Sequence, residues 1–155
     1  MGVYELNDRN DGPQIDKYVS KVKGRKTTNT EPWCGYFVGW VMLMANVPNA
    51  RDNKAMALAA SWFASKTKIV WRKGKNLKLF QPPQPGDLVG YINKKGRIYH
   101  IGIIVEWKDE ANYYVSIEGN TSWRQTIDRD ASRSDGVRIK KRQKDQAYVV
   151  ANWVG

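Results

Sequence analysis

Residues 31–47 read EPWCGYFVGWVMLMANV and form the longest apolar stretch of the chain. Pro32 suits the first turn of a helix, because a proline lacks the N–H group that would be unpaired there. Four large apolar side chains then recur at i, i+3, i+4 and i+7: Phe37, Trp40, Val41 and Met44. This spacing predicts a helix that begins near Pro32 and buries that stripe in the core. Cys34, the only cysteine of the sequence, falls in its first turn.

Two more helices are predicted on either side of this stretch. Residues 14–23 carry apolar side chains at helical spacing: Ile15, Tyr18, Val19 and Val22. Residues 54–65, KAMALAASWFAS, predict a further helix after a break at residues 46–53. Residues 1–13 end in Asn-Asp-Gly-Pro and predict a loose N-terminal lead-in.

From residue 66 the pattern changes to short β-strands separated by turns. The predicted strands are residues 68–72, 88–92, 99–107, 113–118, 137–141 and 147–153. QPPQPGD before the second strand predicts a rigid turn, and NKKGR after it predicts a hairpin. Because helices precede strands, the sequence predicts an α+β fold with N-terminal helices packed on an antiparallel sheet.

The composition indicates one globular domain over residues 1–155, which we expect to be a monomer. No apolar run approaches the roughly 18 residues that a membrane span needs. The N-terminus, MGVYELNDRNDGPQID, lacks the basic and apolar segments of a secretory signal, so we expect synthesis in a bacterial cytoplasm. A single cysteine and a single histidine argue against a structural zinc site.

Cys34 lies where the predicted helix begins, and this position can activate a thiol. Unpaired backbone N–H groups and the positive end of the helix dipole meet there, and both favour the thiolate. The thiolate is the nucleophilic form of cysteine, and the same N–H groups can stabilise an oxyanion after attack on an amide carbonyl. Because the chain has one histidine, His100 is the only imidazole that could act as the base.

His100 begins the predicted strand YHIGIIVEW. Side chains alternate along a strand, so His100 and Gly102 share a face, and Gly102 leaves room for another element, such as a packed helix, to approach. In the next strand Glu118 shares a face with Ser116, and Asn120 lies just past the strand end. A hairpin could bring Glu118 or Asn120 beside His100, where a carboxylate or an amide would orient the imidazole.

Each of these residues also has a purely structural interpretation. A single cysteine in a helix is more often a small core residue, and a single histidine at a strand start is more often structural. Glu118 before Gly-Asn fits the chemistry of a solvated turn. The combination of the three in one chain favours a catalytic site.

Four stretches of the chain, in this order, resemble the CHAP family, the cysteine, histidine-dependent amidohydrolases/peptidases of papain-like fold that cleave bacterial peptidoglycan. They are PWCGYFV, QPGDLVGY, YHIGIIVEW and SIEGN, and the resemblance covers residues 15–153. It implies Cys34 as the nucleophile, His100 as general base and acid, and Glu118 as its orienting partner. Asn120 is similar to a further polar residue of the family that orients the histidine or supports the oxyanion.

Two features depart from parts of this family. Some relatives bind calcium through an aspartate-rich loop before the cysteine, whereas this loop reads KTTNTEPW, so we expect no metal and no cofactor. Many lytic relatives carry a separate wall-binding domain, and we expect none here. Trp33 beside the cysteine and Trp123 after Asn120 are candidates for stacking on substrate, although tryptophan is more often a core residue.

The net charge of +11 favours polyanionic partners. Two basic stretches contribute: Lys66, Lys68, Arg72, Lys73, Lys75 and Lys78, and then Arg138, Lys140, Lys141, Arg142 and Lys144. They fit either a solvated surface with a charged sheet edge or a surface that holds anionic envelope polymers.

The sequence therefore predicts a peptidoglycan hydrolase, an amidase or an endopeptidase, that acts on the cell wall through a cysteine thioester. A phage endolysin released late from the cytoplasm fits this prediction, and so does an effector that one bacterium injects into another. The alternative from a different class is a nucleic-acid-binding module that uses the basic stretches with Trp71 and Phe80. No recognisable nucleic-acid motif supports it, so we expect peptidoglycan and not nucleic acid as the partner.

Overall fold

The computed structural model describes residues 2–28, 31–75, 81–127 and 134–155. Within these residues two α-helices, α1 (Pro13–Lys23) and α2 (Cys34–Met44), precede six strands. The strands are β1 (Ile69–Arg72), β2 (Leu88–Ile92), β3 (Ile98–Trp107), β4 (Tyr113–Thr121), β5 (Gly136–Gln143) and β6 (Val149–Ala151). They form one sheet in the order β1-β6-β2-β3-β4-β5, with antiparallel neighbours throughout. The predicted α+β fold is confirmed.

Helix α1 forms where the sequence predicts it. Its apolar stripe is buried at Ile15, Tyr18 and Val19. Gly24 follows the last turn with φ 71°, a left-handed conformation that glycine adopts without steric cost and that ends the helix. Neither α1 nor α2, the α-helices of the described residues, is long and apolar enough to span a membrane.

Helix α2 begins at Cys34, two residues later than predicted, so Pro32 precedes the helix and Trp33 occupies the cap position. The predicted stripe is only partly right, because Phe37 is buried whereas Met44 is 53% exposed. Buried positions instead follow one another along the first half of the helix: Cys34, Gly35, Tyr36, Phe37, Val38 and Gly39. That half is enclosed by α1, β3 and β4, and the last turn reaches the surface.

The predicted helix over residues 54–65 is wrong, because this segment forms turns and a short 3₁₀ helix over Ala59–Phe63. Side chains take the backbone carbonyls that an α-helix would use. The Ser61 hydroxyl donates to the carbonyl of Leu58 at 2.7 Å, and the Trp62 indole donates to the carbonyl of Met56 at 2.9 Å. Other 3₁₀ turns lie at Ala50–Asp52, Lys66–Lys68 and Lys144–Gln146.

The sheet presents two different faces to the rest of the molecule. Ile101 and Ile103 of β3 join the helices in the larger core cluster. Ile104 faces the other way, into a second cluster with Tyr91 of β2 and Tyr114 of β4. His100, which is 8% exposed, lies on this second face by strand alternation. The catalytic candidates on the strands therefore lie on the face that does not carry the helical core.

The N-terminal lead-in was predicted to be loose, and in the structure its residues 3–5 are bound to the rest of the fold. The amide of Val137 donates to the carbonyl of Val3 at 2.9 Å, and the amide of Glu5 donates to Asp135 at 2.9 Å. The side chain of Glu5 is buried and accepts a hydrogen bond of 2.9 Å from the Trp33 indole. The lead-in thus ties β5 to the residue that precedes Cys34.

Candidate active site

The only thiol of the chain lies at the N-terminal end of α2. The cap residue Trp33 makes no side-chain cap hydrogen bond, so the N–H groups of the first turn are not matched by a capping side chain. Neighbouring backbone packs tightly against this turn: a Cβ on Gly35 would lie 2.2 Å from the carbonyl oxygen of Ala57. The Sγ atom of Cys34 lies 4.0 Å from the carbonyl oxygen of Tyr99, the residue before His100.

The imidazole of His100 lies between this thiol and a carboxylate. Its Nε2 is 2.8 Å from Oε2 of Glu118. Because an ionised carboxylate only accepts hydrogen bonds, Nε2 carries a hydrogen and donates it. The side chain of Cys34 also interacts with this imidazole and raises its pKa. The structure therefore brings Cys34, His100 and Glu118 together at one site, in which His100 bonds Glu118 directly and interacts with Cys34.

Glu118 is fully buried and its two oxygens accept five hydrogen bonds. Oε2 accepts from His100 and, at 2.6 Å, from Nη2 of Arg142. Oε1 accepts from Nε of Arg142 at 2.7 Å, from Tyr91 at 2.8 Å and from Ser116 at 2.7 Å. Such an environment compensates the cost of burying the carboxylate charge and fixes the direction of both oxygens.

The surroundings shift the pKa of both central groups. Burial lowers the pKa of His100, but hydrogen bonds and charges from Cys34 and Glu118 outweigh it and raise the pKa to about 9. Burial raises the pKa of Glu118, but hydrogen bonds from Arg142 and His100 outweigh it and hold the pKa well below its usual range. At neutral pH the site therefore contains an imidazolium beside a carboxylate.

Gly102 is required for a reason other than the predicted one. The sequence suggests that Gly102 makes room for a packed helix. In the structure the group that lies against Gly102 is the side chain of Glu118. A Cβ on Gly102 would lie 2.7 Å from Cγ of Glu118. The glycine therefore allows the carboxylate to cross β3 and reach His100.

Asn120 does not lie beyond the strand end as predicted, because β4 continues to Thr121. Its φ is 54°, and the pairing of β4 with β5 shifts register between Glu118 and Thr121. Among the described residues its side chain forms no hydrogen bond with His100 or Glu118. Of the two residues that the sequence left open as partner of His100, Glu118 is the one in contact.

The two tryptophans predicted to contact substrate lie in different environments. Trp33 is fully buried, stacks on Tyr18 with ring centroids 6.0 Å apart, and donates to Glu5. Its prediction as a substrate-stacking residue is therefore wrong, because no face of the indole is open. Trp123 lies after β4 with 45% of its surface exposed. An aromatic ring near the site that the sequence did not single out is Tyr99, which is 59% exposed and has its centroid 6.1 Å from that of the His100 ring.

The sequence interpretation missed that the second basic stretch turns inward. Arg138 and Lys140 on β5 are buried, and Arg142 binds Glu118. The ammonium group of Lys140 donates to the carbonyls of Ser122 and Arg124. A signal was present in the sequence, because positions 138, 140 and 142 alternate along a strand and must share one face. The expected solvated edge applies to Lys141, which is exposed.

The described residues contain no group of three or more histidine, cysteine, aspartate or glutamate side chains arranged to hold a metal ion.

Of three comparisons with known proteins, one gives a match. A family model described as "CHAP domain" matches residues 26–120. The match includes α2 and extends through β2 and β3 into β4, so it contains Cys34, His100 and Glu118. Searches of curated proteins and of solved structures found no significant match.

Proposed function

Because the chain belongs to the CHAP domain family, a family of peptidoglycan amidases and peptidases, we propose that it cleaves an amide bond of peptidoglycan with Cys34 as the nucleophile. The observation that carries the proposal is the meeting of three side chains at one site. His100 bonds Glu118 at 2.8 Å and interacts with Cys34, whose Sγ lies 4.0 Å from the carbonyl oxygen of Tyr99, the residue before His100. In this proposal His100 is the general acid and base, and Glu118 holds its orientation.

The first chemical step forms a thioester. The Cys34 thiolate attacks the carbonyl carbon of the scissile amide, and a bond between sulfur and carbon forms. The negative charge that develops on the carbonyl oxygen is stabilised by the N–H groups of the first turn of α2, which no side chain caps. The bond between carbon and nitrogen then breaks, and the His100 imidazolium gives its proton to the leaving amine.

The second step hydrolyses the thioester. Neutral His100 takes a proton from water, and the resulting hydroxide attacks the thioester carbon. The bond between sulfur and carbon breaks, the product leaves as a carboxylic acid, and the thiolate and imidazolium are restored. Glu118 stays ionised throughout, because its role is to orient and stabilise the imidazolium.

The bond cleaved lies either between muramic acid and alanine or within the stem peptide or crossbridge. The test is loss of turbidity of purified peptidoglycan with the wild type, Cys34→Ala and His100→Ala, followed by mass spectrometry of the fragments. We expect clearing by the wild type only, and new amine ends would identify the bond. Equal clearing by all three proteins would overturn the mechanism.

As biological role we propose a phage endolysin, and the injected antibacterial effector is the second candidate within the same chemistry. Expression inside a bacterium separates the two. An endolysin lyses the cell only when the inner membrane is permeabilised, for example by a co-expressed holin. An effector would be neutralised by an immunity protein encoded beside it, and protection by such a neighbour would contradict the endolysin role.

We also propose that the positive surface holds anionic polymers of the envelope. The first basic stretch supports this, because Lys66, Lys73 and Lys75 are exposed, whereas Lys78 lies outside the described residues. Binding to cell walls should then weaken as salt is raised, since exposed charges are screened.

The nucleic-acid alternative receives little support from the aromatic residues it invokes. Trp71 packs against Trp107 with ring centroids 5.5 Å apart, and Phe80 lies outside the described residues. Tight DNA binding that Cys34→Ala leaves unchanged, together with no clearing of peptidoglycan, would favour that alternative.

A further inference from the structure

We propose that Arg142 is a positioning residue of the active site, which clamps and neutralises Glu118 so that the charge of His100 remains available to the Cys34 thiolate. This inference rests on the proposed function for its chemical meaning, but its geometry does not depend on the substrate.

The clamp itself is a bidentate pair. Nε of Arg142 donates to Oε1 of Glu118 at 2.7 Å, and Nη2 donates to Oε2 at 2.6 Å. Oε2 is also the oxygen that accepts from His100. Two parallel bonds fix the carboxylate plane, which a single contact would leave free to rotate. The direction of the acceptor facing His100 is therefore set from β5.

Arg142 is itself held in place from a second side. Its guanidinium lies over the ring of Tyr91, 4.8 Å from the centroid, and the Tyr91 hydroxyl donates to Oε1 of Glu118. The hydroxyl of Tyr114 donates to that of Tyr91 at 2.8 Å. A cation–π contact and a chain of hydroxyl groups thus restrict the guanidinium to one position.

The charges along this line alternate and cancel. With Cys34 as thiolate, the order is negative at Cys34, positive at His100, negative at Glu118 and positive at Arg142. Without Arg142, the buried carboxylate would pair with the imidazolium alone and would repel the thiolate. Arg142 therefore stabilises the reactive form of Cys34 without touching it.

Titratable or charged side chains face the site from every element packed around it. Cys34 comes from α2, Tyr91 from β2, His100 and Tyr99 from β3, Glu118 and Tyr114 from β4, and Arg138, Lys140 and Arg142 from β5. Of these three cations on one face of β5, Lys140 donates to loop carbonyls and Arg138 lies over the ring of Tyr4, 4.4 Å from its centroid. Arg142 is the one that bonds the catalytic carboxylate.

The test uses the full chain and needs no substrate, because Cys34 is its only thiol and His100 its only histidine. We compare the rate of Cys34 alkylation by iodoacetamide from pH 5 to 9 in the untagged wild type and in Arg142→Gln. Loss of the cation should move the pH profile of the alkylation rate upward by about one pH unit. At pH 6.5 this shift should slow alkylation by about tenfold. The matched control Lys141→Gln removes the same charge from the neighbouring position, which points to solvent, and should alkylate within twofold of wild type.

A second readout follows the imidazole directly. In the Cys34→Ser background, the NMR titration midpoint of His100 should move upward by about one pH unit when Arg142 is replaced by Gln, because a neighbouring cation is lost. Arg142→Lys keeps the charge but loses one of the two bonds, and should slow alkylation by about threefold. If Arg142→Gln does not fold, the Arg142→Lys variant decides whether Arg142 has the proposed role.

The proposal is overturned if folded Arg142→Gln, or Arg142→Lys in its place, alkylates and titrates as the wild type does. Slowing by Lys141→Gln equal to that by Arg142→Gln would also overturn it, since net charge alone would then explain the effect. If the wild type fails to clear peptidoglycan, the proposed function fails, while alkylation and titration still decide the role of Arg142.

Discussion

Helix α2 and strand β5 both act on the imidazole of His100, and they do so with opposite chemistry. The first half of α2 is apolar and delivers a thiol by backbone position, at the end where its N–H groups are uncapped. Strand β5 is cationic and delivers Arg142 by side-chain contact, through the carboxylate of Glu118. One element supplies the reacting atom and the other supplies the opposing charge.

The difference shows how a small domain can stabilise an ion pair inside its fold. A helix start offers only a partial positive charge and a few N–H groups. The remaining stabilisation of the buried charges comes from a strand that is not adjacent in sequence, through the bonds of Arg142 to Glu118. The raised pKa of His100, about 9, reflects its interactions with Cys34 and Glu118. Residues on the α2 side should therefore control whether the reaction occurs at all. Residues on the β5 side should control its rate and the pH range over which it occurs.

The largest effect is expected on the α2 side. Cys34→Ala removes the nucleophile and His100→Ala removes the only imidazole, so each should lower the rate of peptidoglycan cleavage by at least about 1000-fold. Combining the two should cost little more than either alone, because the residues act as one unit. If the double variant instead loses activity by the product of the two single losses, measured by fragment release, Cys34 and His100 do not act as one unit.

The next effect separates the two residues that the sequence left open. Glu118→Gln removes the charge that His100 and Arg142 share, and should lower kcat by about 100-fold, as expected for a displaced catalytic group. Asn120→Ala, the matched control on the same strand, should change kcat by less than about fivefold, because its side chain makes no bond to His100 or Glu118. The reverse order in steady-state assays would reassign the orienting residue.

A third effect is a pH dependence of stability. The pKa of His100 is raised to about 9 from 6.5, so the folded state holds this proton more tightly than the unfolded state does. The resulting stabilisation, about 3 kcal/mol, is fully present below pH 6.5 and is lost as pH rises through 9. Urea unfolding at pH 6.5 and 9.5 should show this loss in the wild type. If His100→Ala loses as much stability over the same interval, another group is responsible.

The smallest effect compares the two faces of β5. Lys140→Met leaves the carbonyls of Ser122 and Arg124 without their donor and should lower the free energy of unfolding by about 1–2 kcal/mol. Lys141→Met, on the exposed face, should change it by less than about 0.5 kcal/mol. Equal values in denaturant titrations would mean that the inward cations of β5 are energetically equivalent to solvated ones.

The sequence was sufficient where local pattern and local environment agree. Strand alternation placed Glu118 and Ser116 on one face, and the helix start placed Cys34 in a first turn, as the structure has them. The order of helices and strands gave the α+β architecture. The single histidine left His100 as the only possible base for Cys34, and the motif resemblance supported that pairing.

The errors arose where long-range packing overrides local pattern. The segment containing Trp62 forms a 3₁₀ turn, because the indole and a serine hydroxyl take backbone carbonyls. Trp33 is buried because Glu5, 28 residues away, accepts from its indole. Arg142 was interpreted as surface charge, since nothing local to β5 shows that a buried carboxylate lies beside it.

The most direct test of the account is the NMR titration of the Cε1 proton of His100, the only histidine, in the untagged wild type and in Cys34→Ala. We predict a wild-type midpoint near 9, and a clearly lower midpoint once the sulfur is removed, because Cys34 is one of the groups that raise the pKa. Midpoints near 6.5 in both proteins would contradict the account, because sulfur and imidazole would then not share a proton.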